Sequence, residues 1–317
     1  MKVLVTGASG FVGAALVRSL LEDGRHLVRA VYRYERPPMW ESVDWVRVAG
    51  LTADADWEAG VLDIDLVIHA AARVHMMPDT AADPVAEFRR VNVAGTLALA
   101  EQAAAAGVRR FVFVSSIKVN GEETAPGRAF HAAQQPKPVD PYGISKFEAE
   151  RGLRALAERT GMELVIIRPP MVHGPGVKGN FAAMMDWLRR GVPLPLGAVT
   201  CNRRSLVGLD NLVDFILTCV EHPAAANETF LVSDGEDLSL ADLLRRLGRA
   251  MGHPARLIPV PPSLLMAAAR WLGKDDVARR LFGSLQVDLS HTSKTLGWTP
   301  PFDLDEGLRR TARGKQG

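Results

Sequence analysis

The chain has 317 residues with 38 basic and 36 acidic side chains, a formal net charge of +2 that argues against a polyelectrolyte partner such as nucleic acid. Its hydrophobic fraction of 47% and charged fraction of 23% are ordinary for a globular enzyme, with length for a main domain and a smaller second one. Two cysteines, Cys201 and Cys219, are too few for a disulfide framework or a metal cluster, and the sequence shows no charged-then-apolar leader and no membrane-spanning apolar run, so a cytoplasmic protein without metal or membrane insertion is expected.

The first predicted element is a strand, Val3-Leu4-Val5, followed by Gly7, Gly10 and Gly13 and then by helix-forming Ala14, Ala15, Leu16 and Val17. In such a strand–turn–helix unit Gly7 allows a sharp turn, Gly10 lets the backbone approach a pyrophosphate, and Gly13 lets the helix pack against the strand. The phosphates then lie on the N–H groups of the helix start. Ser9, Phe11 and Val12 fall in the same turn and join the glycines as candidate cofactor-binding residues; the competing reading is a glycine turn made for conformation alone. The second strand, Leu27 to Tyr32, ends at Arg33, 20 residues after Gly13. An acid near this place holds a ribose 2′-OH, whereas an Arg accommodates a 2′-phosphate, so NADP(H) is favoured over NAD(H), with a solvated strand-end Arg as the alternative. Trp45 to Val48 is predicted as a short third strand.

Leu66 to His69 reads as a buried strand ending in Ala70, Ala71 and Ala72, whose small side chains let the backbone approach a cofactor. His69 is read as a packed or hydrogen-bonded residue, and Arg73 to Met76 as a loop bordering the substrate. Asn92 opens an alanine-rich helix that runs to Ala106 and stops at Gly107. Phe111 to Val114 is the next buried strand, leading into Ser115 and Ser116. Pro141 then starts a helix carrying Tyr142 and Lys146, four residues apart and therefore on one face. A neighbouring ammonium favours the phenolate, so the pair suits proton transfer in an alcohol–ketone interconversion, with a strand-end hydroxyl as hydrogen-bonding partner.

Val165 to Ile167, followed by Arg168 and Pro169, is the last clear parallel strand before a run of prolines and glycines. The expected architecture is α/β: a doubly wound parallel sheet of the Rossmann type over residues 1–170 and a smaller substrate domain over 171–317, with about 207–234 a candidate to return to the first sheet. A helix is predicted from Asn180 to Arg190, another from Asn211 to Glu221, and a strand at Phe230 to Val232. The apolar stretch Leu264 to Leu272 is read as a packed helix rather than a membrane contact.

The motifs TGASGFVG, HAAA, VNVAGT, the Ser115-Ser116 strand end, YGISK, VHGP and LGWTPP follow the order of the extended short-chain dehydrogenases/reductases, and the chain resembles their nucleotide-sugar epimerase/dehydratase group over nearly its whole length. SSIKVNGEET, GPGVKGNF and NRRSLVGLDNLVD are similar to bacterial reductases and epimerases of UDP-N-acetyl-6-deoxyhexoses used in surface polysaccharide assembly. The resemblance implies that Tyr142 is the catalytic acid/base, Lys146 its partner on the nicotinamide ribose, and Ser116 the hydroxyl that steadies the sugar oxygen. It likewise implies that Asn180 contacts the substrate at its diphosphate or the nearby sugar, that Arg204 grips the diphosphate with Arg279 or Arg280 a candidate second Arg there, and that the protein is a homodimer pairing through the helix of Tyr142. Asn120 stands where many relatives carry Tyr, and Ile117 and Lys118 stand where the family's dehydratases carry an acidic pair, which disfavours dehydration. The expected reaction is reduction of a UDP-4-keto-6-deoxy-N-acetylhexosamine. The first alternative is 4-epimerisation of UDP-glucose or UDP-N-acetylglucosamine; a weaker one is a non-catalytic dinucleotide sensor. Asn180 and Arg204 argue against an apolar or steroid alcohol.

Overall fold

The computed structural model describes residues 1–36, 40–74, 83–125, 127–273 and 275–314, apart from the side chains of 275–277 and 280. Short apolar runs bounded by small residues form the strands: β1 (Lys2–Thr6), β2 (Leu27–Tyr32), β3 (Asp44–Arg47), β4 (Leu66–His69), β5 (Arg110–Val114), β6 (Glu163–Arg168), β7 (Met171–His173), β8 (Arg204–Gly208), β9 (Thr229–Leu231) and β10 (Asp237–Leu238). The helices are α1 (Phe11–Asp23), α2 (Glu58–Val61), α3 (Pro84–Phe88), α4 (Thr96–Ala105), α5 (Pro141–Thr160), α6 (Gly179–Arg189), α7 (Leu209–Glu221), α8 (Leu240–Ala250), α9 (Pro262–Trp271), α10 (Asp275–Phe282), α11 (Ser290–Leu296) and α12 (Leu304–Arg313). A π-helical turn, Arg89–Gly95, joins α3 to α4.

Seven strands form one sheet in the order β3-β2-β1-β4-β5-β6-β9, and every neighbouring pair is parallel. Val3 pairs with Val28 on one side and Leu66 on the other, so the chain order reverses about β1. A crevice at the carboxyl ends of the strands on either side of such a reversal is where an open α/β sheet takes its ligand. One face of the sheet buries Leu16, Val17 and Leu20 of α1 with Phe215, Ile216 and Cys219 of α7. The other buries Leu99, Ala100 and Ala103 of α4 with Leu153 and Leu156 of α5. Covered on both faces, the strands need no polar alternation, which is why β1, β4 and β5 read as apolar runs.

A second sheet, β10-β8-β7, packs on α6, α8 and α12 around Phe181, Met185, Leu206, Leu244 and Leu308. Between the two, β9 pairs with β6 through Ile166↔Thr229 and Arg168↔Leu231, so the chain passes back to the large sheet after β8.

The apolar stretch expected to be covered by helix packing is covered on one side only, where Leu265, Met266 and Ala269 are half-buried. Helix α9 has no buried residue, although Leu265 leans on the core beneath it. Its apolar residues run around the whole helix rather than along one stripe, and the layer it rests on covers only one side. Among the described residues no helix is long and apolar enough to cross a membrane.

Candidate active site

The glycine turn closes at the carboxyl end of β1. Gly7 has φ +72°, and its carbonyl accepts from the N–H of Gly10 at 2.8 Å. A Cβ on Gly13 would lie 2.1 Å from the Gly7 carbonyl oxygen, and one on Gly7 would lie 2.8 Å from the Ala71 nitrogen, so both positions are closed to any larger residue. Helix α1 starts at Phe11 behind an N-cap glycine with no side-chain cap, which leaves first-turn N–H groups for an anion. Ser9 and Gly10 are exposed at this mouth, with Phe11, Val12, Ala70 and Ala71 half-buried around it. These residues form a glycine-lined cradle whose uncapped helix start has the chemistry to hold the pyrophosphate of a dinucleotide.

Beneath the cradle, His69 ties β4 to its neighbours: its Nδ1 meets the Thr6 hydroxyl at 2.7 Å and its Nε2 the Thr96 hydroxyl at 2.9 Å. Burial, helped by the Lys146 charge, pushes His69 down to about 3, so the ring is a neutral structural strut. The Thr6 hydroxyl also accepts from the N–H of Ala71 at 3.3 Å. Arg33 follows β2 with its side chain exposed, the guanidinium 5.3 Å from the Tyr34 ring centroid.

Helix α5 carries the candidate acid/base pair. Asp140 caps it by accepting from the Gly143 N–H at 2.6 Å, Pro141 takes the first position, and Tyr142 therefore stands in the first turn. Tyr142 is half-buried with its ring edge against Phe88, centroids 6.1 Å apart. One turn on, Lys146 is 2% exposed; its Nζ donates to the Val114 carbonyl at 2.9 Å and lies 4.4 Å from the Phe113 ring centroid. Burial lowers Lys146 to about 7, against the opposing pull of Glu150.

The expected lowering of the phenol pKa is corrected here: burial, with Asp140 adding to it, raises Tyr142 above the usual phenol range. Burial of the phenol and the nearby Asp140 carboxylate set this direction, and burial of Lys146 weakens the charge that would oppose it.

The two serines after β5 have different surroundings. Ser115 is buried and donates to Glu150 at 2.6 Å. Ser116 is half-buried and caps the short turn Ile117–Val119, accepting from the Lys118 N–H at 3.3 Å. Glu150 in turn takes both forks of Arg168, at 2.9 and 2.5 Å, and Arg168 donates to Asn120 at 3.0 Å. Asn120 is therefore a buried brace, its amide donating to the His131 carbonyl at 3.1 Å. Lys118, at one of the two positions where dehydratases would place acids, is paired with Asp140 and with Glu122. Asn92 accepts from the Arg73 N–H at 2.8 Å and donates to its carbonyl at 3.0 Å and to Ser145 at 3.1 Å, which fixes the start of the loop toward α3. His75 and Met76 of that loop lie outside the described residues.

On the side of the second sheet, Asn180 is exposed in the first turn of α6. Arg204 opens β8, and its Nε donates to the Gly283 carbonyl at 3.1 Å just after α10; burial lowers its pKa against the opposing influence of Glu122 and Glu123. Arg279 is exposed on α10, and the Arg280 side chain lies outside the described residues. Away from the crevice, Asp23, His26 and Glu221 converge, but Arg25 reaches both carboxylates, at 2.7 and 2.8 Å, and supplies the positive charge there.

Among the residues around this site, sequence reasoning passed over Asp140, Glu150, Arg168 and Thr6. The Asp-Pro pair before α5 was a readable capping signal. Glu150 and Arg168 gave only the weaker hint of charges at positions meant to be buried.

A glycine turn at a strand reversal, with Ser116, Tyr142 and Lys146 gathered at the end of β5 and the start of α5, defines the extended short-chain dehydrogenase/reductase class. Within it, the chain belongs to the NAD dependent epimerase/dehydratase family, whose profile matches residues 3–233. It is 47% identical to a UDP-glucose 4-epimerase of Vibrio cholerae over 311 residues, which is 98% of this chain and 94% of the relative. Among solved structures, the UDP-glucose 4-epimerase of Thermotoga maritima with UDP-glucose is 25% identical with a TM-score of 0.74, covering 99% of this chain and 98% of that one. MoeE5 in complex with UDP-glucose and NAD is also 25% identical, with a TM-score of 0.77 and coverage of 100% and 99%.

Proposed function

We propose that the protein is a nucleotide-sugar 4-epimerase that works with NAD on a UDP-hexose of the UDP-glucose type. The observation that carries this reading is the 47% identity, over 98% of the chain, to a relative named UDP-glucose 4-epimerase. The complex of MoeE5 with UDP-glucose and NAD supports both the cofactor and the substrate class. Reduction of a 4-keto sugar with NADPH, the first expectation, rests mainly on Arg33, whose guanidinium is exposed beyond the strand end.

Gly7, Gly10 and Gly13, with Ser9, Phe11 and Val12, would hold the pyrophosphate on the start of α1, and Ala70 and Ala71 leave room beside it. Bound NAD+ would supply a hydride acceptor that returns the hydride within the same turnover. Tyr142 takes the proton from the C4 hydroxyl as C4 is oxidised and gives it back when the ketone is reduced on its other face. Ser116 hydrogen-bonds the same oxygen, which keeps it near the phenol. Lys146 hydrogen-bonds the cofactor ribose and biases Tyr142 toward phenolate in proportion to its own protonation. Asn180 and Arg204 bind the diphosphate, the latter through a planar fork suited to phosphate oxygens. With Lys118 held by Asp140 and Glu122, the position beside Ser116 offers no acid to expel a C6 oxygen.

The test is to incubate purified protein with NAD+ and UDP-glucose or UDP-N-acetylglucosamine and resolve the 4-epimers by chromatography. Epimer formation without accumulated NADH supports the proposal. Stoichiometric oxidation of NADPH by a UDP-4-keto-6-deoxy-N-acetylhexosamine, with no epimer formed, would replace it with the reductase.

A further inference from the structure

Six of the twelve strongly exposed large apolar side chains among the described residues lie between residues 187 and 272: Trp187, Val192, Ile258, Leu264, Trp271 and Leu272. Trp271 is 87% exposed, Leu264 61% and Leu272 60%. They belong to adjoining segments. The strand-like stretch after α6 pairs with the one before α9, where Leu194 N–H donates to the Arg256 carbonyl at 2.8 Å and Ile258 N–H to the Leu194 carbonyl at 2.8 Å. An apolar surface gathered in this way marks an interaction site more often than scattered single residues do.

The charges in these segments are one-sided. Residues 186–197 hold Arg189 and Arg190 against Asp186, which pairs with Arg189 at 3.2 Å, and residues 251–273 hold Arg256 and Arg270 and no acidic residue. The chain as a whole is nearly balanced, at 38 basic to 36 acidic. A surface that joins tryptophan and leucine to arginine has the chemistry of an in-plane membrane helix, in which the apolar side chains enter the headgroup boundary and the cations meet lipid phosphates. Tryptophan favours that boundary because its ring is apolar and its N–H is polar. Helix α9, with 10 residues, is far too short to span a bilayer, which takes about 20.

We propose that this face, built on α9 with Trp187, Val192 and Ile258 beside it, docks the protein peripherally on an anionic lipid surface. A second copy of the chain is the less suitable occupant, because a two-fold contact sets a patch against its own image and brings Arg190, Arg256 and Arg270 toward one another. The α9–α10 hairpin ends at Gly283, whose carbonyl accepts from Arg204, so the docking face and a candidate substrate residue belong to one structural unit. Docking does not depend on which sugar the enzyme takes.

The experiment is sedimentation of the full chain with vesicles of phosphatidylcholine, with and without phosphatidylglycerol. Binding is expected with phosphatidylglycerol present and about tenfold weaker without it or at high salt. The double variant Trp271→Ala/Leu272→Ser is expected to lose about tenfold in binding to the anionic vesicles while keeping its thermal unfolding temperature and its NAD affinity. Failure of the wild type to sediment with phosphatidylglycerol vesicles, or equal binding by the double variant, overturns the proposal. Self-association seen by light scattering and abolished by the same two substitutions, without vesicle binding, assigns the face to a second copy instead.

Discussion

The ammonium of Lys146 donates to the carbonyl of Val114 at 2.9 Å, one strand-end residue before the two serines of the site. Burial brings this lysine from 10.5 down to about 7. Between those values the unfolded chain holds the proton and the folded one releases it, so the contribution of Lys146 to stability rises with pH through that window. Below about 7 the folded protein carries the full cost of a buried charge. Lys146→Met removes the titration along with one hydrogen bond. Its unfolding temperature relative to wild type is expected to be highest below pH 7 and to decline steadily as pH approaches 10, as followed by scanning calorimetry. A difference that does not vary with pH would show that Lys146 is not titrating in this window.

Burial raises the Tyr142 phenol and Asp140 adds to the effect, so taking a proton from the C4 hydroxyl relies on the positive charge of Lys146 to draw out the phenolate. Tyr142→Phe removes the proton carrier and little volume. Epimerase activity is expected to fall by about 10²-fold or more while NAD affinity, measured by calorimetric titration, stays near wild type. Retained turnover in the Phe variant would mean that the proton travels by another route.

Adjacent serines are expected to separate stability from chemistry. Ser115→Ala takes one donor from Glu150, which keeps both forks of Arg168, so it costs about 1 kcal/mol in urea unfolding with little change in kcat. Ser116→Ala is expected to leave unfolding nearly unchanged and to lower kcat. The reverse pattern, with Ser115 governing kcat, would move the sugar oxygen to the other hydroxyl.

Cofactor choice turns on Arg33. Its exposed guanidinium can pair with the charge of a 2′-phosphate, which a plain ribose hydroxyl lacks, so Arg33→Ala is expected to weaken NADP(H) selectively and leave NAD(H) within about twofold. Fluorescence titration of both forms decides it. Equal losses would place Arg33 on a part that the two cofactors share.

The features that were legible in the sequence are local ones. The glycine turn, the four-residue step from Tyr142 to Lys146 and the parallel apolar strands each follow from spacing along a few residues, and the central sheet appears as read. The tie between Glu150 and Arg168, 18 residues apart, depends on α5 packing against the end of β6, and no periodicity specifies that meeting. The direction of the Tyr142 shift was misjudged for a related reason: spacing shows a charge nearby, whereas the depth of burial that overrides it comes from the assembled fold. The stretch Leu264 to Leu272 has a helix-forming composition and does form a helix, but composition does not say whether another layer lies over it.

Glu150 lies one turn beyond Lys146 and is 1% exposed, and the Arg168 it pairs with is 2% exposed. Removing one member of such a pair strands the other charge in a poor dielectric, which typically costs about 3–5 kcal/mol, whereas replacing both by apolar residues of similar volume often costs far less. Glu150→Gln is therefore expected to destabilise the protein by several kcal/mol in urea unfolding, while Glu150→Leu/Arg168→Met loses less than either single change. The Asn120 acceptor and the Ser115 donor remain in the single variant and soften the loss without supplying a counter-charge. Glu150 also opposes the burial that lowers Lys146, so Glu150→Gln is expected to depress the lysine further. A less protonated Lys146 gives Tyr142 less help as a base, so below pH 7, where wild-type Lys146 is mostly charged, activity per folded molecule should fall. Urea titration of the two single variants and the double variant gives the coupling energy, and the pH–rate profile of Glu150→Gln gives the second readout. A single variant as stable as the double, or a profile superimposable on wild type, would separate this ion pair from the proton-transfer residues beside it.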